Sequence, residues 1–180
     1  MDEETYLRLY RTVHHVQELD EFRWLISEVE KLKPSVILEI GVHHGGSLKF
    51  WEAILKPGDL LVGVDYEPQL DWNVAASDRR IVIVTGNSTA EETVRGVREA
   101  LGGRLVDFAF LDGSHEYETV RMDFENYAPM VRNGGIIAIH DIWTEAKQAG
   151  RFFEELEAKY PNDTAKMCRV QGTGLWWKRG

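Results

Sequence analysis

Cysteine is all but missing from this chain. Its single copy, Cys168, leaves no second thiol for an internal disulfide. Basic residues are also scarce: 21 Lys and Arg stand against 30 Asp and Glu, a formal net charge of −9. That deficit argues against a nucleic acid as the main partner. No apolar run approaches the length of a membrane span, so no membrane partner is expected. The opening Met1-Asp2-Glu3-Glu4 is acidic where a secretion signal is basic, and a cytoplasmic location is the expectation. Internal repeats and low-complexity tracts are lacking too. What remains is ordinary: 180 residues, 43% hydrophobic and 28% charged, enough for one domain with a full core.

Residues 1–34 read as a leading helical segment. Tyr6, Leu9, Tyr10 and Val13 recur at helical spacing, as do Val16, Leu19, Phe22, Leu25, Ile26 and Val29. A break is expected near 18–20, and Pro34 ends the segment. Residues 35–180 read as an α/β domain. Strands are predicted at 36–40, 60–65, 81–85, 106–111 and 136–139. Helices are predicted at 47–55, 90–101, 116–131 and 145–160, with a closing hairpin over 165–170 and 174–178. Residues 67–80 are polar and poorly periodic. Near-continuous apolar strands alternating with helices predict a doubly wound, mostly parallel sheet with helices on both faces and an antiparallel C-terminal hairpin. Alternating faces would bury one of Trp176 and Trp177 and half-expose the other. An exposed tryptophan there would mark a dimer contact, so a homo-oligomer is one expectation.

The most informative stretch is Val36-Ile37-Leu38-Glu39-Ile40-Gly41-Val42-His43-His44-Gly45-Gly46-Ser47. An apolar strand ends in an acid, a glycine-rich turn follows, and a helix begins. Gly41, Gly45 and Gly46 allow the backbone to approach a ligand, and the helix amino terminus offers unpaired N–H groups. A dinucleotide turn reads G-x-G-x-x-G, but here His43 replaces the second glycine. A carboxylate at Glu39 suits the ammonium of a methionine moiety better than a diphosphate. With Ser47 to meet the methionine carboxylate, S-adenosylmethionine fits better than NAD. The plainer alternative is any α/β domain with a tight first turn.

Polar residues collect at the strand ends: Glu39, Asp65, Asn87-Ser88, Asp112 and His140-Asp141. Ligands of open α/β sheets bind at that edge. Asp65 lies 24 residues after Gly41, close to the spacing at which an acid grips ribose hydroxyls. Asn87 and Ser88 are candidates for an adenine edge, or equally for a helix cap.

In this order of segments the chain resembles the class I S-adenosylmethionine-dependent methyltransferases, with their Rossmann-like fold. Two segments resemble the family-24 group, which includes cephalosporin hydroxylase-type and sugar O-methyltransferase proteins. One is Glu39 to Ser47. The other runs from Phe110-Leu111-Asp112-Gly113-Ser114-His115 through Asp123-Phe124, Pro129 and Gly134-Gly135 to His140-Asp141-Ile142. The resemblance implies cofactor contacts from Glu39, Gly41, Ser47, Asp65, Ser88, Asp112 and His115. His43, Gly45, Gly46 and Asn87 join them as members of the same two loops. It also implies a divalent ion, Mg²⁺ or Mn²⁺, on Asp112, His140 and Asp141. His140 departs from the acid or amide more usual there, and an imidazole softens the site.

His115 falls three residues past Asp112, where the catechol-type relatives place a catalytic lysine. It is the candidate general base, with Asp112 beside it in the catalytic pair, and the competing reading has it cap the adenine. His14 and His15 could cap a pocket or simply face solvent, and Trp143 could wall an acceptor site or pack. The expected activity is O-methylation of a hydroxyl on a sugar or other small metabolite. The alternatives are an NAD(P)-linked oxidoreductase and a cofactor-binding module without turnover.

Overall fold

The computed structural model describes residues 1–13, 17–73, 77, 80–143 and 148–179. His14 and His15 lie outside them. Among the described residues, seven strands form one sheet: β1 (Val36–Ile40), β2 (Leu60–Asp65), β3 (Arg80–Thr85), β4 (Val106–Leu111), β5 (Val131–His140), β6 (Thr164–Met167) and β7 (Thr173–Trp177). Their order is β3-β2-β1-β4-β5-β7-β6. The first five run parallel, whereas β7 pairs antiparallel with both β5 and β6. The order reverses between β1 and β4, and a crevice forms at such a switch point.

Among the described residues, six α-helices cover the sheet. On one face lie α1 (Glu3–Thr12), α2 (Leu19–Leu32) and α3 (Gly46–Ile54), which share a core built on Tyr6, Phe22, Phe50, Trp51, Phe108 and Phe110. On the other lie α4 (Glu91–Leu101), α5 (Tyr117–Tyr127) and α6 (Gln148–Lys159), closed over Val97, Tyr127 and Phe153. Strand side chains alternate between these cores. In β1, Val36, Leu38 and Ile40 face the second core and Ile37 faces the first. Glu39 therefore points towards α3, not into solvent.

The leading segment is two helices: α1 ends at Thr12 and α2 begins at Leu19, so the first helix stops earlier than expected. Glu18 starts α2 by accepting from the backbone N–H groups of Asp20 and Glu21, at 3.0 and 2.9 Å. Lys33, at φ +50°, turns the chain out before Pro34.

Two boundaries depart from expectation. The helix expected to reach residue 131 ends at Tyr127 and passes into a single 3-10 turn, Ala128–Met130. Pro129 has no N–H for another helical bond. Strand β5 thus begins at Val131, and Asn133-Gly134-Gly135 forms a bulge inside it where the register on β4 shifts. The hairpin strand expected over 165–170 stops at Met167, because the N–H groups of residues 169–172 all turn to the carboxylate of Glu21 in α2. Trp176 is buried and Trp177 half-buried, on opposite faces as the alternation requires.

Candidate active site

The carboxyl ends of β1, β2, β3, β4 and β5 open into a cavity of about 510 Å³, the size of a small-ligand site. Gly41 makes it possible. Its N–H bonds Val64 O at 2.8 Å, and at φ +90° a Cβ would lie 2.1 Å from the Asp112 carbonyl oxygen. Only glycine lets β1 pass so close to the end of β4.

The turn after Gly41 is held by Asp65, whose carboxylate accepts from the His43 N–H at 2.7 Å and the Glu67 N–H at 2.9 Å. Residues 67–73, without periodicity in the sequence, dock on the same turn. Gln69 N–H reaches His43 O at 3.0 Å, and Trp72 Nε1 donates to Gly45 O at 3.1 Å. The imidazole of His44 meets Gln69 O at 3.0 Å and Asp71 at 3.2 Å.

Most of the cofactor residues expected from sequence line the cavity: Gly41, His43, Gly46, Ser47, Asp65, Asn87, Ser88, Asp112 and His115. Glu39 and Gly45 do not. Glu39 is fully buried, and its carboxylate accepts from Ser47 Oγ and, at 2.9 Å, from Trp51 Nε1. Burial raises its pKa well above the ordinary range, opposed by those two hydrogen bonds and reinforced by Asp112 and Asp65. Its influence on a ligand therefore passes through Ser47.

The loop after β3 is gripped from α5. Tyr127 Oη donates to Ser88 O at 2.7 Å. Asp123, 2% exposed, has its pKa pushed up to about 6 by burial, with a hydrogen bond from Ser88 opposing. Asn87 Oδ1 accepts from Thr89 N–H and Oγ1 at 3.1 and 2.9 Å, an Asx turn, while Ala90 holds the N-cap position of α4.

Across the cavity, Asp112, His115 and Asp141 bring one ligand atom each to within 4.8 Å of one another. His115 Nδ1 lies 3.0 Å from Asp141 Oδ2. That contact, against the pull of burial, raises the His115 pKa; Asp141 is held far below its ordinary value by the two imidazoles despite desolvation. His140 does not line the cavity. It is 3% exposed behind the carboxylates, with Nδ1 2.9 Å from Asp112 Oδ1 and 3.6 Å from Asp141 Oδ2, and its ring is edge-on to Phe110. The Asp112 contact lies off the N–H direction, so it acts as a charge pair more than a directed hydrogen bond. Burial lowers the His140 pKa, but Asp112 and Asp141 outweigh it, and the net direction is up. The set open to the cavity is thus Asp112, His115 and Asp141, where sequence placed Asp112, His140 and Asp141. The two carboxylates suit Mg²⁺ or Mn²⁺ in their donor chemistry, while the His115 imidazole is the softer member of the set.

Sequence reasoning missed Gln17, Tyr66 and Thr119, which also line the cavity. Tyr66 could have been suspected from its place directly after Asp65. Gln17 and Thr119 carry no motif, and nothing in their spacing marks them.

The profile of a family-24 methyltransferase domain matches residues 38–142. The chain belongs to this family. The matched span carries the glycine turn, the loops after β2 and β3, and the cavity-facing cluster of Asp112, His115 and Asp141. A further relative of this methyltransferase chain is 8-demethyl-8-(2-methoxy-alpha-L-rhamnosyl)-tetracenomycin-C 3'-O-methyltransferase of Streptomyces olivaceus. It is 33% identical over 119 residues, covering 62% of this chain and 29% of that protein. The chain therefore spans less than a third of that relative's length.

Among solved structures, the O-methyltransferase from Bacillus cereus in complex with SAH superposes with a TM-score of 0.73 at 18% identity, over 99% of this chain and 92% of that one. MycE methyltransferase from the mycinamycin biosynthetic pathway, in complex with Mg, SAH and mycinamycin VI, gives 0.68 at 19% identity, over 98% and 54%. At such identities these likenesses establish the fold, a mostly parallel methyltransferase sheet with antiparallel C-terminal strands. No helix among the described residues is long and apolar enough to cross a membrane.

Proposed function

We propose that this chain is an S-adenosylmethionine-dependent O-methyltransferase acting on a hydroxyl of a sugar or other small polar metabolite, with Mg²⁺ or Mn²⁺ at its acidic cluster. The observation that carries it is the two-ended cavity. One end has the glycine turn, Ser47 and Asp65; the other has Asp112, His115 and Asp141. The first suits a donor with a methionine tail and a ribose, the second an ionisable hydroxyl. The acceptor reading draws support from the relative named for 3'-O-methylation of a rhamnosyl-bearing tetracenomycin. A cytoplasmic setting is part of the same reading.

In this reading Asp65 meets the ribose hydroxyls, and the loop of Asn87 and Ser88 borders the adenine. Ser47, with its hydroxyl hydrogen directed at Glu39, turns an oxygen lone pair towards the methionine ammonium. A bound Mg²⁺ or Mn²⁺ would lower the pKa of the acceptor hydroxyl. The ion would be held by the carboxylates of Asp112 and Asp141, which leaves His115, its ring oriented by Asp141, to take the hydroxyl proton. The acceptor oxygen then forms its bond to the methyl carbon as the carbon–sulfur bond breaks, and S-adenosylhomocysteine leaves. Alignment of the two reactants supplies much of the rate.

Calorimetric titration with S-adenosylmethionine and S-adenosylhomocysteine tests the reading. One binding site per chain is expected, weakened by Asp65→Ala. No heat of binding at millimolar ligand would end it. Binding of NADH in its place, seen by fluorescence, would transfer the fold to an oxidoreductase.

A further inference from the structure

We propose that Gln17 is a positioning residue for Asp112, so that the leading helices complete the reaction end of the cavity. Gln17 lies in the break between α1 and α2, 95 residues and more from the acidic cluster in sequence, yet it lines the same cavity and is only 6% exposed. Its Nε2 donates to Asp112 Oδ2 at 2.8 Å. The amide orientation follows from chemistry: an ionised carboxylate accepts only, so the NH₂ must face it. Among the described residues the other end of the amide, Oε1, has no partner and is buried.

The backbone around Gln17 is pinned on both sides. Its carbonyl accepts from Tyr10 Oη at 3.0 Å, and the next N–H, of Glu18, donates to Gln171 Oε1 at 3.0 Å. Gln171 belongs to the loop that Glu21 gathers, and its own carbonyl accepts from Trp143 N–H at 2.8 Å, two residues past Asp141. One connected set of hydrogen bonds thus ties the leading helices to the loops bearing Asp112 and Asp141.

Asp112 is held from two directions, by Gln17 on Oδ2 and by His140 on Oδ1. The directed bond from Gln17 fixes Oδ2, the His140 charge draws Oδ1 to the other side, and each oxygen keeps a lone pair for a cation. Partners of this kind orient a ligand without touching the ion. Gln17→Leu keeps the bulk and removes the donor. Gln17→Asn keeps the amide but ends one methylene short of Asp112.

The inference rests on Asp112 being an ion ligand, as proposed above. The test is Mn²⁺ binding to the full chain, read by loss of the free-ion electron paramagnetic resonance signal. S-adenosylhomocysteine titration and thermal melting accompany it. Both variants are expected to bind Mn²⁺ about 10- to 100-fold more weakly, the range typical for such partners. Both should remain folded and hold S-adenosylhomocysteine as the parent does. Unchanged Mn²⁺ affinity in Gln17→Leu would overturn the inference alone, as would parent-like affinity in Gln17→Asn. Parallel loss of Mn²⁺ and S-adenosylhomocysteine binding would also overturn it, since Gln17 would then support the whole cavity. A parent protein that binds no Mn²⁺ would overturn the ion reading and this inference together, while leaving the donor reading to its own titration.

Discussion

Asp123→Asn should make the protein's stability less dependent on pH. Asp123 sits on α5 beneath the loop after β3, 2% exposed, with Oδ1 unpartnered among the described residues. Burial lifts its pKa from 3.8 to about 6. A carboxyl group raised in the fold binds its proton more tightly when folded than unfolded. Its ionisation therefore destabilises the fold. The penalty is absent below pH 3.8, grows between pH 3.8 and 6, and is complete above that window. At 1.36 kcal/mol per pKa unit the full penalty is about 3 kcal/mol. Between pH 5 and pH 8 roughly half of it, about 1.4 kcal/mol, should develop. Asparagine mimics the neutral acid and does not titrate. Its NH₂ will carry a fixed penalty where Oδ1 lacks a partner, on the order of 1–3 kcal/mol. That offset is the same at every pH, so it cancels when the variant's difference from the parent is compared across pH. Urea unfolding of both proteins at pH 5 and pH 8 gives the quantity directly. Relative to the parent, the variant should gain about 1.4 kcal/mol on going from pH 5 to pH 8, roughly 3–6 °C in melting temperature for a chain of this size. A pH-independent difference between the two proteins would refute the assignment of a buried, elevated Asp123.

Two further outcomes are expected. Glu21 accepts N–H groups from Arg169, Val170, Gln171 and Gly172, and these bonds hold its pKa down although burial alone would raise it. Glu21→Ala strands several of those donors, so a loss of at least about 2 kcal/mol is expected. Amide exchange should accelerate at 169–172 first, and unchanged protection there would show the loop to be held by other means. His115 should titrate above its ordinary 6.5, chiefly through its hydrogen bond to Asp141. A ring-proton NMR titration of the ion-free protein should show that midpoint falling in Asp141→Asn. As a base, His115 then becomes available only as pH rises, and a midpoint untouched by Asp141→Asn would remove Asp141 as its orienting partner.

The strands were legible because burial on both faces leaves little choice of residue. Strands β1, β2 and β4 begin and end where the apolar runs do. Boundaries failed where a distant group decided them. Nothing near Met167 announces that β6 must stop there, since the cause is a carboxylate almost 150 residues earlier. Nor does Asn133-Gly134-Gly135 reveal whether it ends a helix or bulges a strand. Pro129 settles that by withdrawing a donor, and the glycines then absorb the register shift against β4.

The site shows the same division between local and non-local causes. Asp65 ends β2 and Asp112, His115 and Asp141 follow β4 and β5, and the switch-point rule alone brings them to one edge. Which atom of each faces the cavity is not a property of spacing. His140 and Asp141 are neighbours on β5 and its end, so their side chains take opposite courses. His140 keeps the strand's alternation and enters the core beside Phe110. Asp141, at φ +56°, leaves the alternation and stays at the cavity. The period of two therefore says that His140 is buried, and it holds until the backbone turns left-handed one residue later. Glu39 obeys the same parity. It lies on the α3 face with Ile37, and can act on a ligand only through a hydroxyl that α3 presents, so Ser47 at the helix start is the necessary counterpart of an acid inside β1.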